Sequence, residues 1–163
     1  MWNSLAEFEQ DWNADGVTLT QDNDVTVLTC IKRDEIMLKE WIRLDFRNDN
    51  FLTFNITEES APDKEFKASM QTRHAEGKVR DTRLAITRNR GRMRVNLSHA
   101  LQVYYPAEAN GMVDARFRFG ISGGREGDTL RIKSVMLEAT NTAAEQIHDY
   151  LTSFRPEAGG LQD

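Results

Sequence analysis

One cysteine in 163 residues removes an internal disulfide and a cysteine-built metal site from the readings of this chain. Cys30 sits inside a strand-like run, where a buried thiol is expected. Long apolar runs are also missing, so no stretch is suited to spanning a bilayer and no membrane insertion is expected. The beginning, MWNSLAEFEQDW, is acidic where an export signal would be basic and then apolar. Catalytic signatures are absent too. His74, His99 and His148 fall in different elements without ligand spacing, and there is no Gly-x-Ser-x-Gly turn. Gly123-Gly124 and Gly127 fit a strand connection better than a phosphate cradle. Acids are abundant in the first third, but abundance does not hold two of them across a cleft, as glycoside hydrolysis requires.

The net charge of −5 is unevenly spread. Residues 1–63 hold 14 acids against 5 bases, residues 64–133 hold 7 against 15, and residues 134–163 hold 5 against 1. The middle is a basic block. An overall acidic chain without a helix-turn-helix, zinc or RNA-binding signature argues against a nucleic-acid partner, and the length suits one domain with a sizeable core.

The stretch Val113–Ala139 organises the rest. Val113, Ala115, Phe117, Phe119 and Ile121 alternate with Asp114, Arg116, Arg118 and Gly120, the period of a strand with one buried face. After Ser122-Gly123-Gly124 and Gly127-Asp128, a second run, Thr129–Leu137, predicts an antiparallel hairpin with a bulge near Lys133-Ser134. Upstream, Val17–Thr20 and Val25–Ile31 read as strands around a turn at residues 21–24. Ile36–Phe46 reads as one strand with even positions inward, followed by a turn at Asn48-Asp49-Asn50 and a strand with Leu52, Phe54 and Ile56 inward. A loop with Pro62, a strand through Phe66, Ala68 and Met70, and a polar turn at Ala75-Glu76-Gly77 come next. Asn89-Arg90-Gly91 predicts a hairpin joining Thr82–Arg88 to Arg92–Leu97, and Leu101, Val103 and Tyr105 read as one more strand.

The last segment differs. Thr142-Ala143-Ala144-Glu145 has the form of a capping box, and Ala144, Ile147, His148, Leu151 and Phe154 keep helical spacing until Pro156. Nine or ten short strands and one terminal helix, without βαβ alternation, predict an all-β antiparallel two-sheet sandwich of jelly-roll type. The expected division is a sandwich over residues 1–140, an amphipathic helix over 141–155 and a tail over 156–163.

Candidate binding residues lie on the wet side of these strands. Trp41, between Lys39 and Arg43 and opposite in parity to Ile42 and Leu44, either packs under a loop or offers a flat platform. Tyr104 with Gln102 makes a similar pair. A sugar ring has an apolar C–H face edged by hydroxyls, which an aromatic plane flanked by Arg, Asn and Gln suits. Arg83, Arg92, Arg94, Arg116, Arg118, Arg131 and Lys133 share the outward parity and, if their strands are neighbours, form one basic face suited to an acidic polysaccharide. Asp11-x-Asn13-x-Asp15-Gly16 with Asp22 at the twelfth place matches the spacing of a calcium loop, although Val17–Thr20 is β-branched where a paired calcium motif would start a helix.

Phe8-Glu9 with Trp12, the Arg92–Leu97 strand and the ending ARFRFGISGGREGDTLRIKSVMLEA resemble carbohydrate-binding modules with a galactose-binding-like jelly roll. The resemblance covers residues 5–139. It implies a non-catalytic polysaccharide-binding domain of a larger glycan-processing or surface protein, an extracytoplasmic setting and a structural calcium. It also implies stacking by Trp41 and Tyr104, with Arg43, Asn55 and Gln102 as polar neighbours. Two other readings stand beside it: an assembly module docking a protein partner through the helix around Ile147, Leu151 and Phe154, and a small polysaccharide lyase using Arg, Tyr and His.

Overall fold

A computed structural model describes residues 12–57, 63–74 and 76–139. Asp11, the Phe8-Glu9 segment, the Pro62 loop, the 141–155 helix and the 156–163 tail lie outside the described residues.

In chain order the strands are β1 (Trp12–Asn13), β2 (Val17–Asp22), β3 (Val25–Cys30), β4 (Glu35–Leu38), β5 (Ile42–Asp45) and β6 (Asn50–Ile56). They continue as β7 (Glu65–Arg73), β8 (Val79–Thr87) and β9 (Gly91–Asn96). A helix α1 (Leu97–Tyr104) and a 3-10 turn (Pro106–Glu108) then lead to β10 (Met112–Ser122) and β11 (Thr129–Ala139). Two antiparallel sheets result. One, called here the Trp41 sheet, runs β1-β4-β10-β7-β8 with β5 continuing the β4 side of β10; the other runs β2-β3-β11-β6-β9. The chain is therefore the all-β two-sheet sandwich its alternation predicts, with one short helix among the described residues.

The two sheets bury facing apolar rows. Phe117 and Phe119 of β10 and Phe66 of β7 meet Phe54 of β6 across the interior, with Phe54 at 5.0 Å from Phe66 and 5.4 Å from Phe119 by ring centroid. Trp12 caps this cluster edge-on to Phe119 at 4.9 Å. Edge-to-face pairs of this kind add about 0.5–1.5 kcal/mol each beyond the area they bury.

Connections differ from the sequence reading in four places, and each difference has a local cause. First, β10 and β11 are not a hairpin: each is the centre of its own sheet, and the glycine loop arches across the interior. That loop is tied to β3 instead, Gly127 N–H donating to Cys30 O and Cys30 N–H to Asp128 O, both at 2.9 Å. Second, β8 and β9 also sit in opposite sheets, with Gly91 at φ +91° making the corner. Third, Ile36–Phe46 breaks at residues 39–41 into β4 and β5 while keeping its inward parity, which lifts Trp41 out of regular pairing. Fourth, Leu101–Tyr105 is not a strand. Asn96 caps a helix there, its side chain accepting from Ser98 N and His99 N, and Leu97 and Leu101 bury one face at the i, i+4 spacing. The bulge in β11 is where it was expected, between Ile132 and Ser134.

One corner fixes α1 to the sheets. Asp45 is almost fully buried and takes two hydrogen bonds from the Arg47 guanidinium, at 2.9 and 2.8 Å, and one from Arg47 N at 3.0 Å. Asn50 Nδ2 donates to Asp45 O at 2.9 Å and to Ser98 Oγ at 2.9 Å, and Ser98 Oγ donates to Asn48 O at 2.5 Å. Those Arg47 bonds hold the Asp45 carboxyl below its ordinary value, against the opposing effect of burial. A carboxyl lowered in the folded state contributes stability that is complete above its unfolded pKa, about 3.9, and is lost as pH falls through the folded value. Asp45→Asn is therefore expected to be less stable than wild type at pH 7 and to lose less stability than wild type between pH 5 and pH 2. Urea denaturation at both ends of that range checks it; parallel losses in the two proteins would remove Asp45 as the cause.

Candidate functional site

Strand alternation sends Asp114, Arg116 and Arg118 of β10 to the outer face of the Trp41 sheet, beside Lys67, Ser69, Gln71 and Arg73 of β7. Trp41 leans onto this row from the break between β4 and β5. The centre of its ring is 4.3 Å from the guanidinium carbon of Arg116 and 4.6 Å from that of Arg73. The indole is half-buried and on the wet side of the sheet, as its parity predicted. It is not bare, however, because two cations are held against it by its ring electrons.

The arginines are ordered in turn. Arg116 Nε donates to Gln71 Oε1 at 2.7 Å, and Asp114 accepts from Arg73 at 3.1 Å and from Arg43 at 3.4 Å. Burial, then the like charges of Arg118 and Arg73, push the Arg116 pKa down from the usual guanidinium range.

Arg118 lies two residues on, about 7 Å further along β10, and enters a cleft of about 520 Å³. Its guanidinium is bonded to Asp81, and its Nε is buried without a hydrogen-bond partner. Lys67 reaches Asp34 at 2.9 Å and Glu35 at 3.5 Å along one wall. Arg83 and Ile86 of β8 and the rings of Tyr104 and Tyr105 make the other. Tyr104 is half exposed, at 51%. It reaches the cleft because α1 packs on β8, which the strand reading of this segment missed. The signal available in the sequence was Asn96 before leucines four apart.

The remaining expected residues scatter. Arg43 and Arg118 share the face with Trp41, whereas Gln102 projects to solvent from α1. Asn55 and Arg94 are on the other sheet, where Arg94 lies over Phe51 at 3.6 Å and pairs with Glu138 at 3.6 Å. The single basic face is thereby corrected: Arg83, Arg116 and Arg118 belong to one sheet, and Arg92, Arg94, Arg131 and Lys133 to the other. Inferring one face required β8 and β9 to be neighbours, and the sheets part them. Of the proposed calcium ligands, Asn13, Asp15 and Asp22 fall among the described residues, and Asp22 is not gathered with the other two. Asn13 Oδ1 accepts from Asp15 N at 3.2 Å, while Asp22 stands at the far end of the extended β2, about 17 Å along the strand from Val17, and pairs with Arg131 at 2.5 Å. Among the described residues no three His, Cys, Asp or Glu side chains are clustered for a metal. Cys30 is buried, as expected, and burial beside Asp34 and Asp128 pushes its thiol up to about 11.

No protein-family model matches the chain, and no curated protein matches its sequence. Among solved structures it is similar to a family 30 carbohydrate-binding module, at 11% identity and a TM-score of 0.48 over 80% of this chain and 88% of that one. It is also similar to PfGH50B, at 12% identity and a TM-score of 0.45 over 82% of this chain and 23% of that one. A third is CBM86, a low-affinity xylan-binding module of Roseburia intestinalis, at 15% identity and a TM-score of 0.39 over 80% of this chain and 94% of that one.

Proposed function

We propose that the outer face of the Trp41 sheet binds a polysaccharide without cleaving it, and that the polysaccharide is acidic. What carries the reading is Trp41, a half-buried indole set among Arg116, Arg73 and Gln71 and continuous along β10 with the cleft that Tyr104 closes. The C–H face of a pyranose packs on the indole, and its hydroxyls or carboxylate bond to the guanidiniums. An elongated strip ending in aromatic rings at both ends suits a chain of sugars better than a single small molecule. Acidic rather than neutral glycan follows from charge. Lys67, Arg43, Arg73 and Arg118 are each paired with a carboxylate, whereas Arg83 and Arg116 form no ion pair among the described residues. The site belongs to a larger glycan-processing or surface protein in this reading.

A shallow face buries little ligand, so dissociation constants of roughly 10 μM to 1 mM are expected. A glycan-array screen followed by calorimetry on wild type and Trp41→Ala tests it. The expected outcome is binding to uronic-acid polymers, weakened by salt, and a loss of at least about tenfold in the variant with its melting temperature nearly unchanged. Equal binding by both proteins would remove Trp41 from the site.

A further inference from the structure

The opposite face of the molecule carries a cleft of its own, of about 750 Å³, that the strip along β10 does not reach. It opens where β11 bulges. Ile132 pairs with Ile56 and Ser134 with Asn55, so Lys133 is the extra residue of β11. A bulge re-aims the side chain it inserts, and Lys133 is exposed with no ion pair or hydrogen bond among the described residues. Asn55 and Thr129 beside it are likewise without side-chain hydrogen bonds, and Thr57 Oγ1 is buried with no partner. Arg131 adds a second cation, with Asp22 already on one side of it at 2.5 Å.

We propose that this cleft is a second binding site, for a sugar unit bearing a sulfate or carboxylate group. Lys133 and Arg131 take the anionic group, and Asn55 and Thr129 take neighbouring hydroxyls. The volume lies within the roughly 300–1,000 Å³ usual for organic ligands and exceeds what a lone oxyanion fills. The saccharide part of the ligand rests on the glycan-binding reading above; the oxyanion contact stands on this cleft alone. Since the two faces look in opposite directions, one molecule is then able to hold two glycan segments and to gain avidity on a polymer.

Amide NMR titrations test this with four probes: a uronic acid, a sulfated monosaccharide, unsubstituted glucose and inorganic sulfate. One or both acidic sugars are expected to shift the Asn55 side-chain amide and the signals of Thr57 and Lys133, in Trp41→Ala as strongly as in wild type. Lys133→Ala, a change at an exposed position, is expected to weaken that binding about tenfold, and Asn55→Ala to weaken it with Lys133 intact. The proposal is overturned by no shift at these residues with either acidic sugar, by inorganic sulfate shifting them as strongly as the sugars do, or by their loss in Trp41→Ala. Silence around Trp41 with these shifts retained would count against the first site only.

Discussion

Gly120→Ala is expected to destabilise the protein by at least about 3 kcal/mol, lowering its melting temperature by about 6–12 °C. Gly120 is at the crossing of β10 and β4, paired with Glu35. A Cβ there would lie 1.9 Å from Asp34 O and 2.6 Å from Glu35 Cα. Both are backbone atoms, and Asp34 O already accepts from Ile121 N at 2.8 Å, so relief means pulling β4 from the sheet. Rotamer changes do not help. The requirement is for space alone, since Gly120 is not among the glycines with positive φ. Gly123→Ala makes the control: its φ is +66° but nothing lies within 4 Å, so only backbone strain of about 1 kcal/mol is expected. Chemical denaturation of the two variants should separate them clearly. Similar midpoints would mean that β4 does not approach β10 as described.

Arg116→Glu is expected to reduce binding of an acidic polysaccharide by about 100-fold or more, because it removes a cation and places an anion beside the ligand's charge. Stability should change little. Burial, then the charges of Arg118 and Arg73, already disfavour the Arg116 cation; a carboxylate there keeps the burial penalty but is attracted to both arginines. The opposing losses are the cation–π contact with Trp41, about 0.5–1 kcal/mol at a partly exposed position, and the hydrogen bond from Arg116 Nε to Gln71 Oε1. Calorimetry against a uronic-acid oligomer, alongside thermal melts, reads both effects. A neutral glycan bound equally well by wild type and variant would point away from acidic ligands while leaving the indole platform in place.

The parity of individual strands was legible because burial on one face enforces a period of two. Phe117 and Phe119 inward and Arg116 and Arg118 outward needed only the alternation, and so did Trp41 on the wet side of Ile42 and Leu44. The bulge at Lys133 was visible as a change of phase within one strand. Partnership was not legible. An alternating run, a glycine loop and a second alternating run describe a hairpin and an arch between sheets equally well. For Val113–Ala139 the choice lay in bonds from the loop to Cys30, about 100 residues earlier in the sequence. The joining of Tyr104 to Arg118 is of the same kind, since it depends on α1 packing against β8.

The amino-acid order by itself therefore determined which side of each strand meets water, where most turns fall and that the elements are mainly β. Those properties depend on neighbours two to four residues apart. Tertiary structure alone decided which strands lie side by side, and with them that the arginines divide between two faces. Backbone pairing is indifferent to side-chain identity, so sheet order is settled by packing the Trp12, Phe54, Phe66 and Phe119 rings in one interior.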